Sequence, residues 1–230
     1  MEDGIRIVFK NKNTVIINKP VGMPSQPDPS GDDDAMSKTS KLLASLGESS
    51  DLWLVHRLDR AVGGLIVFAR NKKSAAALSE TVKNGKMEKQ YFAVCHGSAD
   101  EGEYRDFLFK DNATSKAYIV KTERRGAKEA ILNARKIDGQ NGMSLMSVKL
   151  VTGRFHQIRA QFAARGNSLV GDKKYGSRDT ERRTPALFSY YLSFMLFGKR
   201  IIAKARPDIN EYPWNIFTED KYSIEGDMQS

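Results

Sequence analysis

Leu52-Trp53-Leu54-Val55-His56-Arg57-Leu58-Asp59-Arg60, followed after Ala61–Gly64 by Leu65-Ile66-Val67-Phe68-Ala69, sets the fold class of this chain. Leu65–Ala69 is an unbroken apolar run, the pattern of a strand buried on both faces. Leu52–Val55 is a second, shorter apolar piece. The connection between them holds one carboxylate, Asp59, between two arginines. Nearby positive charge favours the ionised form of a carboxyl group, and connections between rigid strands are where folds usually hold chemistry. Taken alone, the same residues are better read as an ion pair bracing a loop.

Working outward, Ile5–Phe9 and Thr14–Asn18 are rich in Val and Ile, with a polar turn at Lys10–Asn13 between them, and predict a strand pair. Lys19–Ala35 carries four prolines, two glycines and the acidic run Asp32–Asp34, the composition of a loop. Ser37 is expected to cap a helix running to about Leu46, closed by Gly47. Asn71 is expected to cap a second helix through about Lys83, with Gly85 at its end. Gln90–Cys95 and Ser144–Val151 read as strands. Ala127–Ile137 is ambiguous, because its alanines favour a helix while its surroundings favour a strand. His156–Arg165 has helical spacing that places Ile158 and Phe162 on one face. Leu187–Phe197 reads as a long strand that pairs with Ile201–Ala205 across the turn Gly198-Lys199-Arg200. The segment from Tyr212 onward is expected to fray. Strands outnumber helices without alternating regularly with them, which predicts an α+β fold.

The 230 residues, 40% hydrophobic, suffice for a sizeable core. Lys+Arg exceeds Asp+Glu by 37 to 28, and the net charge of +9 suits a polyanionic partner, although charge alone fits a soluble basic protein without one equally well. Cys95 is the only cysteine, which excludes an intrachain disulfide and a cysteine-based zinc site. The three histidines, His56, His96 and His156, form no local pair of metal-ligand spacing, so no metal is expected. The acidic N-terminus lacks the apolar core of a secretory signal, and Leu187–Phe197 is too short to span a bilayer. The expectation is a cytoplasmic protein in a reducing compartment, without membrane association.

Two further clusters stand out. Thr152-Gly153-Arg154-Phe155-His156-Gln157-Ile158-Arg159 leaves a strand and enters a helix, placing Arg159 about one turn in. Lys89-Gln90-Tyr91-Phe92-Ala93-Val94 places Tyr91 and Ala93 on one strand face and Phe92 on the other. In isolation, a surface arginine and a core aromatic account for both.

In combination, these segments resemble the RluA-like family of pseudouridine synthases, in that family's order. Val15–Pro20 with Val21-Gly22 resembles its N-terminal strand and Lys-Pro-x-Gly turn. His56–Asp59 with Gly64–Arg70 resembles its catalytic motif, and Lys89–Ala93 its tyrosine strand. Gly153–Arg159, followed by Leu169–Asp172 and Tyr175-Gly176, resembles its C-terminal signature. Val62-Gly63 stands where the family often has Thr-Ser, and Asn167-Ser168 where it often has His-Pro. Many members also carry an N-terminal S4-type RNA-binding domain, which this chain is expected to lack.

The resemblance implies an α+β catalytic domain over 1–211 and a C-terminal tail over 212–230. It also implies a mixed, largely antiparallel sheet with flanking helices and a central RNA-binding cleft. The implied activity is isomerisation of uridine to pseudouridine in structured ribosomal or transfer RNA, by a monomer without a cofactor. Asp59 is implied as the catalytic carboxylate, Tyr91 as the residue stacking on uracil, and Arg159 as the partner holding Asp59 anionic. Arg57, His56, Arg154, His156, Gln157, Lys173 and Lys174 are implied RNA-binding residues. The competing expectation is a catalytically silent RNA-binding or assembly factor of the same fold.

Overall fold

The computed structural model describes residues 4–123 and 125–223. In chain order the strands are β1 (Arg6–Lys10), β2 (Thr14–Lys19), β3 (Trp53–Leu54), β4 (Gly63–Ala69), β5 (Glu88–His96), β6 (Gly102–Asp111), β7 (Lys116–Val120), β8 (Ala127–Gln140), β9 (Met143–Leu150), β10 (Leu187–Leu196) and β11 (Lys199–Lys204). The helices are α1 (Ala35–Ser45), α2 (Lys72–Lys83) and α3 (Gln157–Ala164). The α+β class follows directly. The chain divides into two compact units, the first ending at Lys89 and including Ser189–Ala205, the second comprising Gln90–Phe188 and the residues from Arg206.

In the first unit the strands run in the order β1-β2-β4-β10-β11, with β3 also paired to β4. The β1–β2, β2–β4, β3–β4 and β10–β11 pairs are antiparallel. All seven residues of β4 are buried, as its apolar run predicts. Its Leu65, Val67 and Ala69 join Ile16 of β2, Leu192 and Phe194 of β10, and Leu78 of α2 in one core. Asn71 caps α2 by accepting the Ser74 N–H. The cap of α1 is Asp34, not Ser37: its carboxylate accepts the Ser37 N–H at 2.9 Å, so the helix begins before the expected cap. The β10–β11 connection is also tighter than expected. Leu196 pairs with Lys199, leaving Phe197 and Gly198 as a two-residue turn with φ of 49° and 77°. Positive φ at both central positions matches the right-handed twist of a hairpin.

In the second unit the order is β5-β9-β8-β6-β7. The ambiguous Ala127–Ile137 segment is strand, the first part of the 14-residue β8, paired antiparallel to both β9 and β6. Buried pairing on both sides outweighs the helix preference of its alanines. The β6–β7 hairpin has no counterpart in the sequence reading. One of its faces packs on α3: Leu108 and Ala117 join Ala160, together with Ala130 of β8 and Tyr175. The segment expected to fray from Tyr212 is packed as far as it is described. Trp214, Phe217 and Tyr222 are buried, Tyr222 meets Phe92 edge-on at 5.4 Å, and its hydroxyl donates to the Trp214 carbonyl. The rest of that expectation, 224–230, lies outside the described residues. Among the described residues no helix is long and apolar enough to cross a membrane.

Candidate active site

Asp59 belongs to the first unit, on the loop that leads into β4, and is partly exposed. The proline-rich loop after β2 fixes this loop's backbone. Ser25 Oγ donates to the Leu58 carbonyl at 2.8 Å and accepts the Leu58 N–H at 3.1 Å. The Gly22 N–H donates to the Arg60 carbonyl, and Arg60 Nε donates back to the Gly22 carbonyl, each at 2.9 Å. Arg60 also pairs with Asp32. The Val62 N–H closes a turn on the Asp59 carbonyl at 3.0 Å. Just beyond, Gly64 sits at φ +109°, and a Cβ there would fall 2.6 Å from the backbone nitrogen of Ser189. Only glycine fits this close strand approach.

Lys19 is wholly buried beneath this loop. Its ammonium donates to the carbonyls of Pro20 at 3.0 Å, Met23 at 2.7 Å and Arg60 at 3.4 Å. Burial pushes its pKa down to about 7, against the pull of the Asp59 carboxylate. Sequence spacing gave no sign that a lysine at the end of an apolar strand would turn inward; the carbonyl-lined loop makes it possible.

The two arginines flanking Asp59 separate in role. Arg60 spends its guanidinium on Asp32, Ser30 and Gly22, the loop-bracing reading, whereas Arg57 is exposed. His56 Nε2 accepts the Val67 N–H at 3.1 Å, so its proton sits on Nδ1. Burial, aided by the Lys89 charge, lowers the His56 pKa to about 3.

The second unit carries Tyr91, Arg154, His156, Gln157, Arg159, Lys173 and Lys174. Tyr91 is 6% exposed on β5. The turn into α3 places His156 in the left-handed region, φ 52°. Gln157 is buried, and its carboxamide serves that turn: Oε1 accepts from the Arg154 N–H and Thr152 Oγ1, and Nε2 donates to the Ile131 carbonyl. Arg154 is exposed, with Nε donating to the Glu129 carbonyl at 2.8 Å.

Phe155 stacks on His156 at 3.8 Å, and Lys110 lies 4.8 Å over the Phe155 ring. His156 Nδ1 is 3.0 Å from the Tyr175 hydroxyl, which accepts the Ala117 N–H at 2.8 Å. Burial, then the charges of Arg159, Lys174 and Lys110, lower the His156 pKa to about 3. Lys116 lies 5.1 Å over Tyr175, and the Lys174 ammonium donates to the Ser115 carbonyl at 2.9 Å. Cations interleaved with aromatic rings in this way suit phosphates and bases together. Lys110 and Lys116 come from the β6–β7 hairpin and were missed in the sequence because nothing near them marks a motif.

Arg159 is held by Asp172. Its Nε donates to Oδ2 at 2.6 Å and its Nη2 to Oδ1 at 2.7 Å, with the two side chains 7% and 1% exposed. Tyr175 lies under the guanidinium at 5.0 Å. Arg182 donates to the Thr184 and Tyr212 carbonyls and lies 6.0 Å from the Trp214 ring. Among the described residues, no three His, Cys, Asp or Glu side chains gather as a metal ion would require.

This chain belongs to the RNA pseudouridylate synthase family, whose family model matches residues 13–164. It is 31% identical over 208 residues to ribosomal large subunit pseudouridine synthase C of Rickettsia felis, an alignment covering 87% of this chain and 67% of that protein. It is 28% identical to an uncharacterized RNA pseudouridine synthase of Mycoplasma genitalium, covering 84% of this chain and 64% of that one. The chain thus spans about two thirds of the length of these curated relatives. In structure it resembles human RNA pseudouridylate synthase domain containing 4, with a TM-score of 0.73 at 20% identity, over 88% of this chain and 89% of that one. Human RNA pseudouridylate synthase domain containing 1 gives 0.72, also at 20% identity, over 91% and 87%. At that identity the likeness speaks for the fold.

Proposed function

We propose that this protein isomerises uridine to pseudouridine in structured RNA, with Asp59 as the catalytic carboxylate. The observation that carries the reading is the Asp59 loop itself: a partly exposed carboxylate whose backbone is held by Ser25, Gly22 and buried Lys19. A pure RNA-binding protein gains nothing from presenting a fixed anion to a polyanion. The silent-binder alternative therefore draws less support.

The reaction breaks the N1–C1′ bond, turns the base and joins C5 to C1′. The proton lost from C5 is matched by one gained at N1, so nothing is oxidised and nothing consumed. One ionised carboxylate, acting as nucleophile or base, is the protein group this demands. By the family resemblance, Tyr91 is assigned to stacking on the uracil, Arg159 to assisting the reaction with its guanidinium, and Arg57 to displacing the base. The target must leave its stack, at a cost of roughly a few kcal/mol in a duplex and less in a loop. Contacts from Lys110, Lys116, Lys173, Lys174 and Arg154 to phosphates offset that cost. Relatives named for the ribosomal large subunit favour ribosomal RNA as the substrate class, with transfer RNA as the other outcome of the test.

The test is pseudouridine mapping on ribosomal and transfer RNA incubated with wild-type protein and with Asp59→Asn. The substitution keeps size and hydrogen bonding while removing charge. Isomerisation is expected from the wild type only, with RNA affinity retained in the variant. Turnover by Asp59→Asn at the wild-type rate would refute the mechanism.

A further inference from the structure

Asp172 is a carboxylate that the proposed chemistry does not use, yet it is 1% exposed. Its backbone is tightly set. The Asp172 N–H donates to the Leu169 carbonyl at 3.0 Å, and the Asp172 carbonyl accepts from Tyr175 at 3.0 Å and Ser177 at 3.1 Å. Gly171 sits at φ +78°, and a Cβ there would meet the Thr184 carbonyl oxygen and the Arg182 side chain, so no other residue lets this turn close. From that turn the carboxylate takes the Nε and Nη2 edge of Arg159 side-on, at 2.6 and 2.7 Å. The Tyr175 ring, three residues along the same turn, covers the guanidinium at 5.0 Å.

A side-on, two-point contact fixes the plane of the guanidinium as well as its position, which a single hydrogen bond does not. A carboxylate this close also cancels most of the arginine's net charge. What Arg159 presents to other groups is therefore a set of oriented N–H donors more than a free positive charge. Stability alone is a poor reason for the pair, since a buried ion pair contributes little more than well-packed apolar residues of the same volume.

We infer that Asp172 is the positioning residue for Arg159, holding its guanidinium in the plane and position that the isomerisation requires. The inference rests on the proposed function and on Arg159 acting in it. The experiment measures single-site isomerisation kinetics on an RNA that the wild type modifies, with thermal unfolding of each variant alongside. Asp172→Asn is expected to lower kcat by about 10- to 100-fold with KM for the RNA changed less than about threefold, while unfolding stays cooperative. Asp172→Glu keeps the charge but displaces the carboxylate by one methylene, and is likewise expected to lose kcat; it decides the matter if Asp172→Asn does not fold.

A second readout is chemical rescue. Millimolar guanidinium is expected to restore activity to Arg159→Ala but not to Arg159→Ala combined with Asp172→Asn, because the ion then has no holder. A folded Asp172 variant with wild-type kcat, or one whose loss falls on KM alone, overturns the inference while leaving the proposed function intact. A wild type that isomerises no uridine in any RNA overturns the function itself, and this inference with it.

Discussion

His56 and His156 give the structure a specific acid sensitivity. Both are held neutral, with pKa values of about 3, by burial and by neighbouring cations. In the unfolded chain each returns to about 6.5. As pH falls below 6.5, the unfolded chain takes up protons that the folded one refuses. The stability contributed is complete above 6.5 and is lost progressively toward pH 3. Between pH 7 and pH 5 the full displacement amounts to about 2 kcal/mol for each histidine, and partial exposure reduces this to about 1–2 kcal/mol each. That interval lies above most carboxylate titrations, so the histidines dominate it. Urea unfolding at pH 7, 6 and 5 measures the loss. His56→Gln keeps an acceptor for the Val67 N–H while removing the titration, and is expected to flatten the pH dependence by about its own share. Ring-proton NMR gives the direct check, with no titration of either histidine expected above pH 4.5. A His56 resonance with its midpoint near 6.5, or an unchanged pH dependence in His56→Gln, would refute the reasoning.

Other expected outcomes concern the strand approach, the basic surface and metal independence. Gly64→Ala places a Cβ against the Ser189 backbone at φ +109°, and is expected to cost more than about 3 kcal/mol in urea unfolding; a loss below about 1 kcal/mol would show that β4 and β10 give way there. Replacing Lys110, Lys116, Lys173 and Lys174 by Gln is expected to weaken RNA binding and flatten its salt dependence, by roughly 0.7–0.9 in the log–log slope for each phosphate no longer neutralised. An unchanged slope would assign these lysines to solvent. Activity on an RNA whose folding needs no divalent ion is expected to persist in excess chelator, and a loss restored by one particular metal would contradict that.

Local signals in the sequence were legible where neighbours in the chain decide the structure. Asn71 capped its helix as expected because the accepting carboxamide and the donating Ser74 N–H lie three residues apart. The unbroken run Leu65–Ala69 announced a strand buried on both faces. The cap of α1 was missed: Asp34, read as part of the acidic run of the preceding loop, accepts the Ser37 N–H and starts the helix ahead of Ser37. The β6–β7 hairpin was invisible because Asp106 and Lys110 share a strand face with Tyr104 and Leu108 while Phe107 and Phe109 lie on the other, so apolar residues do not alternate cleanly, and one face is covered only when α3 packs on it. At the site, Asp59, Tyr91 and Arg159 were singled out as candidates through motif resemblance. Lys19 and Asp172 lay inside matched motifs but were given no role, since their partners, the loop carbonyls and Arg159, are set only by folding. Gln157 was read outward from its motif, whereas its carboxamide is directed into the turn.

The lone thiol turns the protein into its own reporter. Cys95 is wholly buried on β5, with its Sγ 3.7 Å from the Ser144 carbonyl, and burial pushes its pKa up to about 12. In the native state it is neither accessible nor a thiolate, so an alkylating reagent must wait for the second unit to open. The rate of Cys95 modification therefore meters how often β5 comes free, residue-specifically and without any engineered label. The same measurement with RNA bound would show how far the substrate holds that unit shut.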